Sequence, residues 1–175
     1  HHGTFDVGFL RQVPGMTVLC PASMAEQQDM LRWAVLDCFG PVAVRYPRGT
    51  DGTYTASDWE AGCRADKRGA VKRHREGNQV TLITYGTMIN QVLDAAALLA
   101  EQGIDAAVLR LQTVSPLPVK QITELISSSH HVVVVEEISE GSGIRQELAW
   151  ALQKELPDCQ VSGIDLGRRF AVQGD

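Results

Sequence analysis

Residues 80–111, VTLITYGTMINQVLDAAALLAEQGIDAAVLRL, decide the fold class. Val80 to Tyr85 is a short apolar run bounded by Gly86, which reads as a buried strand. Gly86-Thr87 then opens a helix with Ile89, Val92, Leu93, Ala96 and Leu99 on one face, and Gly103 stops it. Ala106 to Leu111 is a second continuous apolar strand. Strands without polar alternation, joined by a helix, are the pattern of parallel strands covered on both faces. Downstream the rhythm repeats. Pro116 and Pro118 punctuate the entry to a helix over Ile122, Leu125 and Ile126, and His131 to Val135 is the most apolar strand. Gly141-Ser142-Gly143 opens a helix with Ile144, Leu148, Ala151, Leu152 and Leu156 on one side, and Gln160 to Leu166 is a last strand. The expected fold is α/β with right-handed crossovers and a mostly parallel sheet.

Upstream, the same order recurs in shorter form. Residues 5–15 predict a short helix with Phe5, Phe9 and Leu10 on one face, ended by Pro14-Gly15. Thr17 to Cys20 reads as a buried strand. Ser23 stands at an N-cap position with Glu26 three residues on, ahead of a helix carrying Met30, Leu31, Ala34, Val35 and Cys38. Val42-Ala43-Val44 is a second strand and runs into Arg45-Tyr46-Pro47-Arg48-Gly49. Two parallel strands cannot bury both faces alone, so residues 1–50 are expected to be ordered only against further chain: the rest of a parent, another copy, or the C-terminal half. Thr50 to about Asp66 reads as a linker. Arg64, Lys67, Arg68, Lys72, Arg73 and Arg75 follow as a basic stretch, read as a solvated strand pair turning at Glu76-Gly77-Asn78 in preference to an anion patch.

Composition narrows the functional classes. In 175 residues there are 16 Lys plus Arg and 21 Asp plus Glu, a formal charge of −5, which argues against nucleic acid or an anionic membrane as partner. No apolar run approaches the ~20 residues of a membrane span. Cys20, Cys38, Cys63 and Cys159 lie far apart, which excludes a zinc ribbon or a compact disulfide scaffold and fits a reducing cytoplasm. The chain opens at His1 without an initiator Met, so a piece of a longer protein is expected.

In sheets of this kind ligands sit beyond the carboxyl ends of the strands. At the exit of Val42–Val44, two Arg flanking Tyr46 and Pro47 suit a rigid phosphate or carboxylate site, and equally a salt-bridging surface turn. His1-His2 reads as a tag remnant or as a pair of functional imidazoles. Glu136-Glu137 reads as a general-base pair or as a cap for the next helix. Gly141-Ser142-Gly143 can offer an anion a helix N-terminus, but it lacks the glycine spacing of a nucleotide motif.

HHGTFD, FLRQVPGM, CPAS and GPVAVRYPRG together resemble the 1-deoxy-D-xylulose-5-phosphate synthases, thiamine-diphosphate enzymes of the transketolase superfamily. Tyr85-Gly86-Thr87, Val114 to Leu117, Val135-Glu136-Glu137 and terminal Phe170, Gln173 and Gly174 fit as well, so the resemblance spans the chain. It implies that residues 1–62 are the end of a parallel-sheet pyrimidine-binding domain plus linker. Residues 63–175 would be a transketolase C-terminal-like three-layer α/β/α domain. The reaction implied is condensation of pyruvate with D-glyceraldehyde 3-phosphate with loss of CO₂, a route to isoprenoid, thiamine and pyridoxal precursors. Thiamine diphosphate serves as electron sink while the protein orients and protonates.

By the same resemblance His1 is the catalytic His of the family motif, suited to proton transfer near neutrality, and Arg48 binds the acceptor phosphate. The metal and cofactor contacts (Mg²⁺ included) belong to missing upstream parts. This stretch alone is therefore expected to bind neither and to be inactive, the parent being a cytoplasmic homodimer. Two departures from the family pattern stand out: Ala22 to Glu26 reads ASMAE where S-D-E-N-E is common, and the loop after Glu137 is shortened. Transketolase itself, the β subunit of a 2-oxoacid dehydrogenase and a non-catalytic α/β assembly module are the competing readings.

Overall fold

A computed structural model describes residues 3–47, 49–53, 71–126, 131–168 and 170. Five α-helices and eight strands are described, in the order α1 (Asp6–Leu10), β1 (Thr17–Leu19), α2 (Met24–Leu36), β2 (Val42–Val44), β3 (Val71–Arg75), β4 (Val80–Tyr85), α3 (Ile89–Glu101), β5 (Ala106–Leu111), β6 (Thr113–Ser115), α4 (Val119–Leu125), β7 (His131–Val135), α5 (Arg145–Glu155) and β8 (Gln160–Ile164). The larger sheet has the order β3-β5-β4-β7-β8. Four of its strands are parallel, and β3 runs antiparallel along β5 at the edge.

The alternation of β4, β5 and β7 sorts the core into two layers. Leu82, Ala106 and Val108 bury against Ile89, Val92 and Ala96 of α3, with Val133 and Val135 alongside. Ile83, Tyr85, Leu109, Leu111, Val132 and Val134 bury on the other side against Ile122 of α4 and Leu148 and Leu152 of α5. Helices on both faces of a mostly parallel sheet make the expected three-layer α/β/α arrangement.

The smaller sheet is β2-β1-β6. β1 and β2 are parallel, Val18 facing Ala43. The third strand, β6, comes from the C-terminal half and is antiparallel, Val18 facing Ser115. The Cys20 amide donates to the Gln112 carbonyl at 2.8 Å, and Ser115 Oγ donates to the Met16 carbonyl at 2.9 Å. Val7, Val18 and Cys20 belong to the same core cluster as Ile83 and Leu109. The C-terminal half thus supplies one of the supports expected for the N-terminal strands.

Three expectations are corrected. Glu76 to Asn78 is not a hairpin turn: β3 pairs with β5 and β4 pairs with β5 and β7. A Cβ on Gly77 would lie 2.3 Å from the backbone between Ala106 and Ala107, so this glycine permits a close approach. On α1 the buried residue is Val7, whereas Phe5 and Phe9 are exposed. On α2, Met30 buries and Ala34 and Cys38 pack beside it as the spacing predicts, but Leu31 and Val35 face outward and Trp33 joins the core in their place. Arg64, Lys67, Arg68, Cys63 and most of the expected linker lie outside the described residues.

Candidate functional site

Parallel strands β1 and β2 end side by side, and the Arg45 amide closes their exit by donating to the Leu19 carbonyl at 2.8 Å. The Arg45 side chain turns toward the N-terminal turn. Its Nε donates to Asp6 Oδ1 at 3.1 Å, and Nη2 reaches the carbonyls of Gly3 and Glu137, each at 3.4 Å. Asp6 Oδ1 also accepts from the Val7 amide at 2.8 Å, which fixes the start of α1. Burial draws the Arg45 guanidinium's pKa down, but the Asp6 carboxylate, Cys20 and Tyr85 outweigh it and the net direction is up. For Arg45 the salt-bridging reading of the RYPRG turn therefore holds. Arg48, and likewise His1 and His2, lie outside the described residues.

The N-terminal turn is also held from the C-terminal side. The Ser139 amide donates to the Thr4 carbonyl at 2.9 Å. Arg11 Nη1 donates to the Gly143 carbonyl at 2.7 Å, and its Nη2 pairs with Glu147 on α5. Between α1 and the Gly141–Gly143 turn an open cleft of about 410 Å³ is lined by Phe5, Phe9, Arg11 and Glu147. Phe170 meets Phe5 edge-on, ring centroids 6.2 Å apart.

The two ambiguous motifs after β7 resolve into one structure. Glu136 Oε1 accepts from the Ile144 amide at 2.8 Å and from the Tyr85 hydroxyl at 3.0 Å. Ile144 is the N-cap of α5, so the carboxylate of Glu136 is itself the anion at that helix N-terminus. No general-base pair forms, because Glu136 is buried in this role while Glu137 is exposed. Burial raises the Glu136 carboxyl above its ordinary value, against the lowering pull of the amides and of Tyr85. Burial and the adjacent Glu136 charge push the Tyr85 hydroxyl well up. A Cβ on Gly143 would meet the ends of the Glu136 and Ile138 side chains, so both would have to shift to admit any larger residue.

A second polar cluster joins the halves. Ser23 Oγ accepts from the Glu26 amide at 3.2 Å, as the capping pattern predicts. The Glu26 carboxylate does not complete the reciprocal box on Ser23. It accepts from the Ala22 amide at 2.6 Å, from Arg110 Nη1 at 3.0 Å and Nη2 at 2.8 Å, and from Gln112 Nε2 at 2.9 Å. Both charged side chains are wholly buried. The signal for this pair was Arg110 inside the apolar run AAVLRL, since a charge on a buried strand requires a buried partner.

Among the described residues no group of three or more His, Cys, Asp or Glu is placed to hold a metal ion. None of the described helices is long and apolar enough to cross a membrane.

Two family models match the chain. Residues 1–51 match the transketolase pyrimidine-binding domain and residues 69–170 the transketolase C-terminal domain. Among similar proteins, a 1-deoxy-D-xylulose-5-phosphate synthase of Desulforudis audaxviator is 40% identical over 177 residues, covering 99% of this chain and 27% of that protein. The synthases of Heliobacterium modesticaldum and Chlorobium luteolum are 36% and 33% identical, each again over 99% of the chain. The chain thus spans about a quarter of the length of these relatives. A solved structure described as a split gene transketolase, inactive beta4 tetramer, superposes with a TM-score of 0.75 at 25% identity, over 94% of this chain and 52% of the other.

Proposed function

Because the chain belongs to the transketolase family, we propose that it is the part of a 1-deoxy-D-xylulose-5-phosphate synthase that closes the acceptor side of the active site. The parent would be a thiamine-diphosphate-dependent transferase joining pyruvate to D-glyceraldehyde 3-phosphate with loss of CO₂. One observation carries this reading. The HHGTFD and RYPRG motifs lie about 40 residues apart in sequence, yet Arg45 of the second bonds to Gly3 and Asp6 of the first. The resemblance assigns His1 to one motif and Arg48 to the other.

In this reading Arg48 supplies a permanent, planar cation for the acceptor phosphate. His1 gives and takes a proton at the reacting oxygens near neutral pH. The resemblance assigns the Mg²⁺ and diphosphate contacts to upstream parts of the parent. A cytoplasmic homodimer completes the proposal.

The test uses the full-length enzyme. Arg48→Ala should raise the KM for glyceraldehyde 3-phosphate and leave the KM for pyruvate nearly unchanged. A charge-assisted phosphate contact of about 1.5–3 kcal/mol corresponds to a roughly 10- to 150-fold loss in kcat/KM. D-Glyceraldehyde, which has no phosphate, is the control acceptor. Equal damage to both acceptors would place the phosphate site elsewhere. A preference of the wild-type enzyme for pentose phosphate would favour transketolase.

A further inference from the structure

We propose that Arg45 is a positioning residue, which sets the N-terminal turn against the exit of β2 and thereby the spacing of the acceptor site; this rests on the function proposed above. Arg45 ties together three segments distant in sequence: the Gly3 carbonyl, the Asp6 carboxylate at the head of α1, and the Glu137 carbonyl after β7. Its own backbone is pinned at the strand exit through Leu19. His1 lies two residues before Gly3 and Arg48 three beyond Arg45, which full extension limits to about 7 Å and about 11 Å of chain. Arg45 is thus the side chain that bonds one motif directly to the other.

The chemistry fits a guanidinium and not an ammonium. Arg presents donors in a rigid fork, so it can face a carboxylate with Nε and two carbonyls with Nη2 without changing rotamer. A lysine offers a point charge on a flexible stem and satisfies Asp6 without fixing the other two. The ion pair is about one-quarter open to water, the Arg45 and Asp6 side chains being 20% and 26% exposed. Its removal should loosen the two motifs locally while the sheet remains folded, and small misplacements at a reacting centre cost rate steeply.

Arg45→Met and Arg45→Lys, each alone and combined with Arg48→Ala, test this in the full-length protein. Two readouts are taken. The first is hydrogen exchange of the amides in segments 3–8 and 45–50, which should quicken about tenfold in Arg45→Met, with β4 and β5 unchanged. The second is selectivity for glyceraldehyde 3-phosphate over D-glyceraldehyde. It should fall about tenfold in Arg45→Met, partly recover in Arg45→Lys, and fall no further when Arg45→Met is added to Arg48→Ala, since the effect passes through Arg48.

Unchanged exchange at both segments overturns the proposal, as does a selectivity loss that simply multiplies with that of Arg48→Ala. If Arg45→Met does not fold, Arg45→Lys decides by the same readouts, and a Lys variant identical to wild type overturns it. Absence of synthase activity in the wild-type parent refutes the proposed function instead, and the exchange measurement then decides the clamp by itself.

Discussion

Replacing Arg110 by Met removes the guanidinium that faces Glu26 while filling most of its volume. The structure sets the size of the effect. Both side chains are fully buried, and Arg110 supplies two of the four hydrogen bonds that the carboxylate accepts. The Ala22 amide and Gln112 Nε2 remain, but neither carries a charge. Removing one partner of such a pair costs about 3–5 kcal/mol, because a buried charge is left uncompensated. Urea unfolding of the chain at pH 7, with a slope of about 2 kcal/mol/M, would show the midpoint falling by about 1.5–2.5 M. Adding Glu26→Gln removes the stranded charge while keeping an acceptor for the Ala22 amide. The double variant should therefore be less destabilised than the sum of the singles, with a coupling of about 2 kcal/mol. A loss below about 1 kcal/mol, or strict additivity, would refute the reasoning. Glu26 sits on α2 and Arg110 on β5, so the same experiment reports whether the two halves melt together. A single transition that splits in two in Arg110→Met would locate the coupling in this pair.

The Glu136 carboxyl is raised in the fold, so its contribution to stability is complete below the unfolded value of about 4.5 and is lost as pH climbs through the higher folded value. Glu136→Gln lacks that titration, and its stability relative to wild type should improve from pH 4 to pH 7 in paired urea titrations; a flat or reversed difference would count against the buried cap. Gly143→Ala should cost about 1–3 kcal/mol in the same assay, since its Cβ meets Glu136 and Ile138 at 2.2 Å. Burial pushes the Cys20 thiol up to about 12, so native-state alkylation at pH 8 should modify Cys38 and Cys159 and leave Cys20 intact until the chain unfolds.

What the sequence made legible follows from the length of each pattern. The β4-α3-β5 unit was readable because six-residue apolar strands and a thirteen-residue helix give periodicity room to declare itself. In α1, five residues are too few to choose a face, and Val7 buries while the larger aromatics stay out. The three residues of β6 were invisible as a strand, since nothing local distinguishes a short apolar run before Pro116 from a loop. Edge placement of β3 is a tertiary outcome: pairing to β5 or to β4 leaves the same residues in the strand, and only the packing of Gly77 on Ala106 separates the two. At the site, the capping role of Ser23 was readable, and so was one of the two options for Glu136. The Glu26–Arg110 pair and the three-way grip of Arg45 were not, because each joins residues far apart in sequence.

The strand β6 carries a consequence for synthesis on the ribosome. Ser115, whose hydroxyl bonds to the Met16 carbonyl beside β1, is made 99 residues after its partner. At about 5–20 residues per second, β1 waits on the order of 5–20 s for that edge to be covered. Through that interval an apolar strand with a free hydrogen-bonding edge is exposed to neighbouring nascent chains. Translation speed between residues 20 and 115 thus becomes a variable in the yield of native protein, and a pause there should cost more than an equal pause after residue 115.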